Sequence, residues 1–205
     1  GIIGGSGYTG GELIRLVVNH PKLVLDFVFS TTRPGTPLYD THVDLLGRSE
    51  LSFTDNINSE VDVVFLCVGH GNSVEFLKKN RFSTQTIIID LSNDFRLEKD
   101  AQFQEYDFVY GLPEYQKNKI EGAKAIANPG CFATAIQLAL LPLVKEDFIK
   151  ELKKFEIYKD FQITKAPSNG QIEIKIDKII SANKRATILL DLEEILKTNV
   201  DKGIT

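Results

Sequence analysis

Gly4-Gly5-Ser6-Gly7-Tyr8-Thr9-Gly10 lies between a short apolar stretch, Ile2-Ile3, and a segment with apolar residues at helical spacing, Leu13, Leu16 and Val17. A strand, a glycine turn and a helix in that order constrain the fold more than any other feature of the chain. Glycines at these places permit a tight turn and let the backbone approach an anion seated on the helix N-terminus. The spacing Gly4-x-x-Gly7-x-x-Gly10 departs from the commoner dinucleotide fingerprint but serves the same purpose. Strand-like and helix-like segments keep alternating downstream. Residues 23–29, 61–68 and 86–91 read as strands, 11–19 and 73–79 as helices, and 108–110 and 123–127 as weaker strands. Val63-Val64-Phe65-Leu66-Cys67-Val68 is continuously apolar, as a strand covered on both faces requires. The expectation is an α/β fold, a Rossmann-like doubly wound parallel sheet over residues 1–130.

The end of the second strand bears on which dinucleotide fits. An NAD site commonly places Asp or Glu there for the ribose 2′-hydroxyl. This chain has Ser30-Thr31-Thr32-Arg33 instead, hydroxyls and a cation that suit a 2′-phosphate. NADP is therefore the expected cofactor, with Gly4, Gly7, Tyr8, Thr9, Gly10, Ser30 and Arg33 in its site. The alternative for Arg33 is a solvated loop charge. His70 follows the third strand at the carboxyl edge, where open α/β sheets bind ligands, and is read as lining the cofactor pocket.

Asn128-Pro129-Gly130-Cys131 precedes the apolar run Phe132-Ala133-Thr134-Ala135-Ile136. Pro129 and Gly130 break the preceding segment, so Cys131 falls at or next to a helix start, where the helix dipole favours a thiolate. A small buried hydrophobe is the competing reading, since free cysteine is often buried. Beside a nicotinamide site, a nucleophilic Cys131 implies attack on an activated acyl group, a thioester, and its reduction by hydride. Cys67, inside the apolar run, reads as core. Two free thiols suit a reducing, cytoplasmic setting.

The remaining composition excludes several classes. A net charge of −4 without a long basic run argues against a nucleic-acid partner. No apolar stretch approaches the roughly 20 residues that span a bilayer. No metal-ligand set is read. Beyond the cysteine the character changes: residues 145–154 are highly charged, 171–180 alternate apolar and polar as a half-exposed antiparallel strand, 185–192 is its expected partner, and 192–199 a short helix. Residues 131–205 thus read as a second, smaller α+β domain.

With these motifs assembled, the chain resembles the N-acetyl-gamma-glutamyl-phosphate reductase family, relatives of aspartate-semialdehyde dehydrogenase. The resemblance rests on Gly4-Gly5-Ser6-Gly7-Tyr8-Thr9-Gly10-Gly11-Glu12-Leu13, His70-Gly71, Asp90-Leu91-Ser92-Asn93-Asp94-Phe95-Arg96, Tyr110-Gly111-Leu112-Pro113-Glu114 and Asn128-Pro129-Gly130-Cys131, in family order over residues 1–145. It implies NADP-dependent, phosphate-linked reduction of an N-acylated glutamyl phosphate, in arginine biosynthesis, with Cys131 as nucleophile. It also implies a glyceraldehyde-3-phosphate dehydrogenase-like catalytic domain and a homo-oligomer, a tetramer. Arg96 becomes a candidate ligand for the substrate phosphate, with a surface ion pair to Asp94 or Glu98 as the alternative. Asn128 either directs its amide at substrate or shapes the turn before Pro129. His42 matches a family loop position without assigned chemistry.

The family's histidine-rich segment, its second glycine-rich loop and a lysine–glycine–alanine segment are missing, and no histidine follows His70. Gly1-Ile2-Ile3 reads as the tail of a strand, so residues are expected to be absent before Gly1, and the missing segments lead to the same expectation within 145–205. The alternatives are a shortened homologue that binds NADP without full catalysis and an aspartate-semialdehyde dehydrogenase-type enzyme. The residues leave open whether the acyl group is acetyl or succinyl.

Overall fold

The computed structural model describes residues 1–145, 161–164 and 173–176. The chain divides into two compact units, Gly1–Leu138 and Ala139–Thr205. The first unit holds eight strands: β1 Ile2–Ile3, β2 Val28–Phe29, β3 Phe53–Thr54, β4 Val63–Leu66, β5 Ile87–Asp90, β6 Gln102–Phe103, β7 Tyr106–Tyr110 and β8 Ala125–Ala127. They form one sheet in the order β3-β2-β1-β4-β5-β8-β7-β6. Every pairing is parallel except β6 with β7. The chain reverses direction of travel between β1 and β4, which creates the switch-point crevice typical of dinucleotide-binding sheets.

Side chains alternate across this sheet and build a core on each face. Ile3, Val64, Leu66, Ile88 and Phe108 pack on one side with Leu77 and Phe95. Ile2, Val28 and Phe53 pack on the other with Ile14, Val17, Leu38 and Leu45. Helix α1, Tyr8–Val18, supplies Ile14 and Val17, three residues apart and so on one helix face. Helix α2, Ser73–Lys79, supplies Leu77. Stacked rings of Phe95 and Phe108, 4.0 Å apart, anchor the loop after β5 to β7.

Local departures from the sequence expectations have physical causes. The expected strand over 23–29 contracts to β2, because pairing lasts only where β1 and β3 present a ladder, at Ile2↔Val28, Ile3↔Phe29, Val28↔Phe53 and Phe29↔Thr54. Val24 is exposed instead. Helix α1 starts at Tyr8 rather than at residue 11, since Gly7 adopts the extended backbone of an N-cap (φ −83°, ψ 171°). Helix α3, Pro113–Ile120, was not foreseen; its proline stands at the helix start, where the missing N–H costs nothing.

Helix α4, Cys131–Lys145, runs across the division between the units and contains Pro142. In the second unit, β9 Phe161–Thr164 pairs antiparallel with β10 Glu173–Ile176. The antiparallel strand expected within 171–180 is thus present as β10, and its described partner is β9. The partner expected at 185–192 and the helix expected at 192–199 lie outside the described residues, as does the charged segment after Lys145. Among the described residues, no helix is long and apolar enough to cross a membrane.

Candidate active site

Of the four glycines in the first turn, the three at every third position, Gly4, Gly7 and Gly10, are held by different constraints. Gly4 has φ +80°, and a Cβ there would lie 2.6 Å from the Cys67 carbonyl oxygen. At Gly10 a Cβ would lie 2.6 Å from both the Gly4 oxygen and the Gly5 Cα, so α1 sits directly against the turn. Gly7 is exposed, with nothing nearer than 3.7 Å. Two glycines therefore serve the chain's own packing, and the third leaves open space over the turn. No side chain caps the start of α1, so its first N–H groups stay available to an anion. Tyr8, 97% exposed, and Thr9 flank that open side.

The end of β2 is tied to the turn by hydroxyls. Ser30 is buried, and its Oγ lies 3.2 Å from Ser6 Oγ and 3.2 Å from Thr32 Oγ1. Arg33 stands exposed on the same loop, and its guanidinium has no hydrogen bond or ion pair among the described residues.

On the other side of β1, the loops after β4 and β5 are joined into one platform. Asp94 accepts N–H groups from Gly71 at 2.6 Å, Ser73 at 3.0 Å and Val74 at 3.2 Å. Its charge thereby caps α2. His70 is exposed, and its Nδ1 accepts the Asn93 N–H at 3.0 Å, which puts the proton of the neutral ring on Nε2. Beneath them Asp90 is buried, accepting Ser73 Oγ–H at 2.5 Å and Ser92 Oγ–H at 2.6 Å. Burial pushes the Asp90 carboxyl above its ordinary value, against the two serine hydrogen bonds. Sequence reasoning assigned Asp90 no role of its own; a carboxylate ending an apolar strand was its only signal.

At the next strands along the same edge, Cys131 is the first residue of α4 and is exposed. Gly130 precedes it, and its carbonyl accepts the Thr134 N–H at 2.9 Å, closing the first helical turn. Arg96 reaches across from the loop after β5: Nε donates to the Asn128 carbonyl at 2.8 Å and Nη2 to the Leu91 carbonyl at 2.9 Å. Its Nη1 makes no hydrogen bond among the described residues and lies 3.0 Å from where a Cβ at Gly130 would stand. Asn128 donates its backbone N–H to Asp90 at 2.8 Å and its side-chain amide to the Pro129 carbonyl at 3.1 Å, the geometry of a turn. Tyr110 donates its hydroxyl to Gln137 at 3.0 Å and so ties β7 to α4. Cys67 contrasts with Cys131: it is half-buried, and burial, helped by the charge of Asp90, pushes its thiol up to about 12.

All the sequence-derived site residues thus fall on one carboxyl edge of the sheet. The turn, Ser30, Arg33 and His70 gather where β2, β1 and β4 end; Arg96, Asn128 and Cys131 gather where β5 and β8 end. The first group can hold a dinucleotide, the second an anionic acyl substrate beside a nucleophile.

The family model described as semialdehyde dehydrogenase, NAD binding domain, matches residues 1–123. An N-acetyl-gamma-glutamyl-phosphate reductase of Flavobacterium johnsoniae is 62% identical over 149 residues, 73% of this chain and 46% of that protein. One of Christiangramia forsetii is 54% identical over 151 residues, 74% of this chain and 46% of that protein. Among solved structures, an aspartate semialdehyde dehydrogenase with NADP from Candida albicans aligns with a TM-score of 0.48 at 17% identity, covering 71% of this chain and 46% of that one. The chain spans about half the length of the curated relatives it matches. The relatives bear out the resemblance read from the motifs, and the chain belongs to the semialdehyde dehydrogenase NAD-binding domain family.

Proposed function

We propose that this chain contributes the cofactor site and the nucleophile for NADPH-dependent reduction of N-acetyl-gamma-glutamyl phosphate to N-acetylglutamate 5-semialdehyde and phosphate, a step of arginine biosynthesis. Residues 1–130 form the NADP-binding domain in this reading, and 131–205 belong to the catalytic domain. The observation that carries it is an exposed thiol at the start of α4 with the Arg96 guanidinium next to Gly130.

The residues present fit the cofactor. Gly4 and Gly10 let the turn and α1 close tightly on each other, and Gly7 leaves open space over the uncapped start of α1. Gly4, Gly7, Tyr8, Thr9 and Gly10 would hold the pyrophosphate at the α1 N-terminus, Ser30 and Arg33 the 2′-phosphate, and His70 would line the pocket. Bound NADPH supplies the hydride that reduces the acyl carbon.

The chain's own part begins at Cys131. Its thiol is exposed at the first residue of α4. Sγ attacks the γ-carbonyl carbon, the C–O bond to phosphate breaks, and phosphate leaves with that electron pair as a thioester forms. Arg96, held by two backbone carbonyls, keeps Nη1 for the substrate phosphate and offsets its charge. After reduction the C–S bond breaks, the aldehyde leaves, and Cys131 recovers its thiolate. Two free cysteines suit a reducing cytoplasm, and the same reading expects a homo-oligomer, a tetramer.

The test is phosphate-dependent oxidation of N-acetylglutamate semialdehyde by the full-length protein with NADP. Cys131→Ala should abolish turnover while NADP still binds. Activity that survives this substitution sinks the covalent mechanism. Binding of NADP with no turnover by the unsubstituted protein would instead identify a non-catalytic nucleotide-binding module.

A further inference from the structure

His42 is buried at 8% exposure between two short 3-10 turns, Leu38–Asp40 and Val43–Leu45. Its backbone is pinned on both sides: its N–H donates to the Leu38 carbonyl at 3.0 Å, and its carbonyl accepts the Leu45 N–H at 2.9 Å. The ring rests against Phe53, centroids 6.2 Å apart. Its Nε2 lies 2.8 Å from the Gly5 carbonyl oxygen. A carbonyl only accepts, so Nε2 carries the proton and donates. The ring fits because residue 11 is glycine: a Cβ there would lie 2.5 Å from His42 Cε1 and 2.7 Å from Nδ1.

The Gly5 carbonyl has no other partner among the described residues. In a trans peptide the C=O and the following N–H point in opposite directions. Holding the Gly5 oxygen inward therefore turns the Ser6 N–H away from the core, and that N–H has no partner among the described residues. It is a spare donor in the middle of the glycine turn.

We propose that His42 is a positioning residue for dinucleotide binding: through the Gly5 carbonyl it aims the Ser6 N–H at the pyrophosphate, and Gly11 exists to admit its ring. The inference rests on the reading of this turn as the NADP site.

The test compares two probes on the full chain: NADPH, which carries a pyrophosphate, and 2′-AMP, which does not. His42→Phe keeps the ring and the Phe53 contact but removes the donor. NADPH should then bind about tenfold more weakly, the loss expected for one freed carbonyl and one misaimed donor. The affinity for 2′-AMP should stay within about twofold. His42→Gln places an amide donor near the old Nε2 and should recover most NADPH affinity. Gly11→Ala keeps the imidazole but displaces it, and should reproduce the His42→Phe pattern even where that variant folds poorly. The inference is overturned if the Phe variant binds NADPH as well as the unsubstituted chain, or if both probes weaken equally, which marks a purely structural residue. If the unsubstituted chain binds 2′-AMP and NADPH not at all, the cofactor reading itself fails and takes this inference with it.

Discussion

Replacing Gly10 with alanine sets two effects of opposite sign against each other. Alanine is the better helix residue by about 1 kcal/mol, and Gly10 lies inside α1. On propensity alone the variant gains stability. Packing gives the opposite answer. The new methyl would stand 2.6 Å from the Gly4 carbonyl oxygen and 2.6 Å from the Gly5 Cα. Carbon atoms rest comfortably at about 3.5–4.0 Å, so α1 has to withdraw from the turn by roughly 1 Å. Both obstructing atoms are backbone, and no rotamer change relieves them. Overpacking of this kind costs about 1–3 kcal/mol, which outweighs the propensity gain. The net loss should be about 1 kcal/mol, a fall of about 4 °C in Tm for a unit of this size. The same withdrawal carries the helix N-terminus away from its anion, so the Tm rise produced by NADPH should shrink more than stability does. Gly7→Ala is the control. Its Cβ meets nothing closer than 3.7 Å, and φ at Gly7 is −83°. The unliganded fold should then lose only what glycine is worth over alanine at an N-cap, about 0.5 kcal/mol, with no clash added. Thermal scans of both variants with and without NADPH decide the matter. A Gly10→Ala protein with a raised Tm and an intact NADPH response would refute the reasoning, as would equal damage from both substitutions in the absence of cofactor.

The two cysteines should separate cleanly in alkylation by iodoacetamide at pH 8. With its thiol pushed up to about 12, Cys67 should stay protonated and react slowly, while the exposed Cys131 reacts fast; peptide mapping that finds Cys67 labelled first contradicts the burial account. Asp90 should make stability depend on pH in a particular direction. Burial raises its pKa, so the folded chain keeps this proton to higher pH than the unfolded chain does. Stability contributed by the site is complete below the unfolded carboxylate value of about 3.9 and declines as pH rises through the folded value. Urea midpoints measured from pH 4 upward should show this decline flattened in Asp90→Asn; an unchanged slope places the titrating group elsewhere. Arg33→Ser should weaken NADPH about tenfold or more, as loss of a charge-assisted pair does, and leave NADH unaffected; equal effects on both cofactors in a fluorescence titration remove Arg33 from the 2′-phosphate site.

What the sequence made legible was local. Gly4, Gly7 and Gly10 announce a turn because tight backbone geometry is written in residue type, and β4 and β5 stand out because continuous apolar runs mark doubly covered strands. Pairing is not local, so β2 was overlong and β3 and β6 were missed; two-residue strands carry no periodicity. Helix α3 escaped for a related reason: Pro-Glu-Tyr-Gln-Lys-Asn-Lys-Ile has almost no apolar stripe, and only its buried Gln116 marks an inner face. The supporting residues of the site were least visible. His42 meets Gly5 across 37 positions, and Asp90 meets Ser73 across 17. Neither pattern has a signature in a single sequence.

Arg96 illustrates what the third dimension adds. From the sequence, an ion pair with Asp94 or Glu98, each two positions away, is as good a reading as a phosphate ligand. In the fold Asp94 accepts the backbone N–H of Gly71 in the β4–α2 loop and those of Ser73 and Val74 at the start of α2, and is thereby committed to capping α2. Among the described residues Arg96 therefore pairs with no carboxylate and gives two donors to the Leu91 and Asn128 carbonyls, at the ends of β5 and β8. Those bonds hold the guanidinium still without neutralising it. In the proposed function, a guanidinium fixed next to the residue before Cys131 would meet the substrate phosphate and offset the charge of the departing group. The neighbouring acid is therefore as much a part of the site as the arginine, because by satisfying the helix it leaves the positive charge unspent.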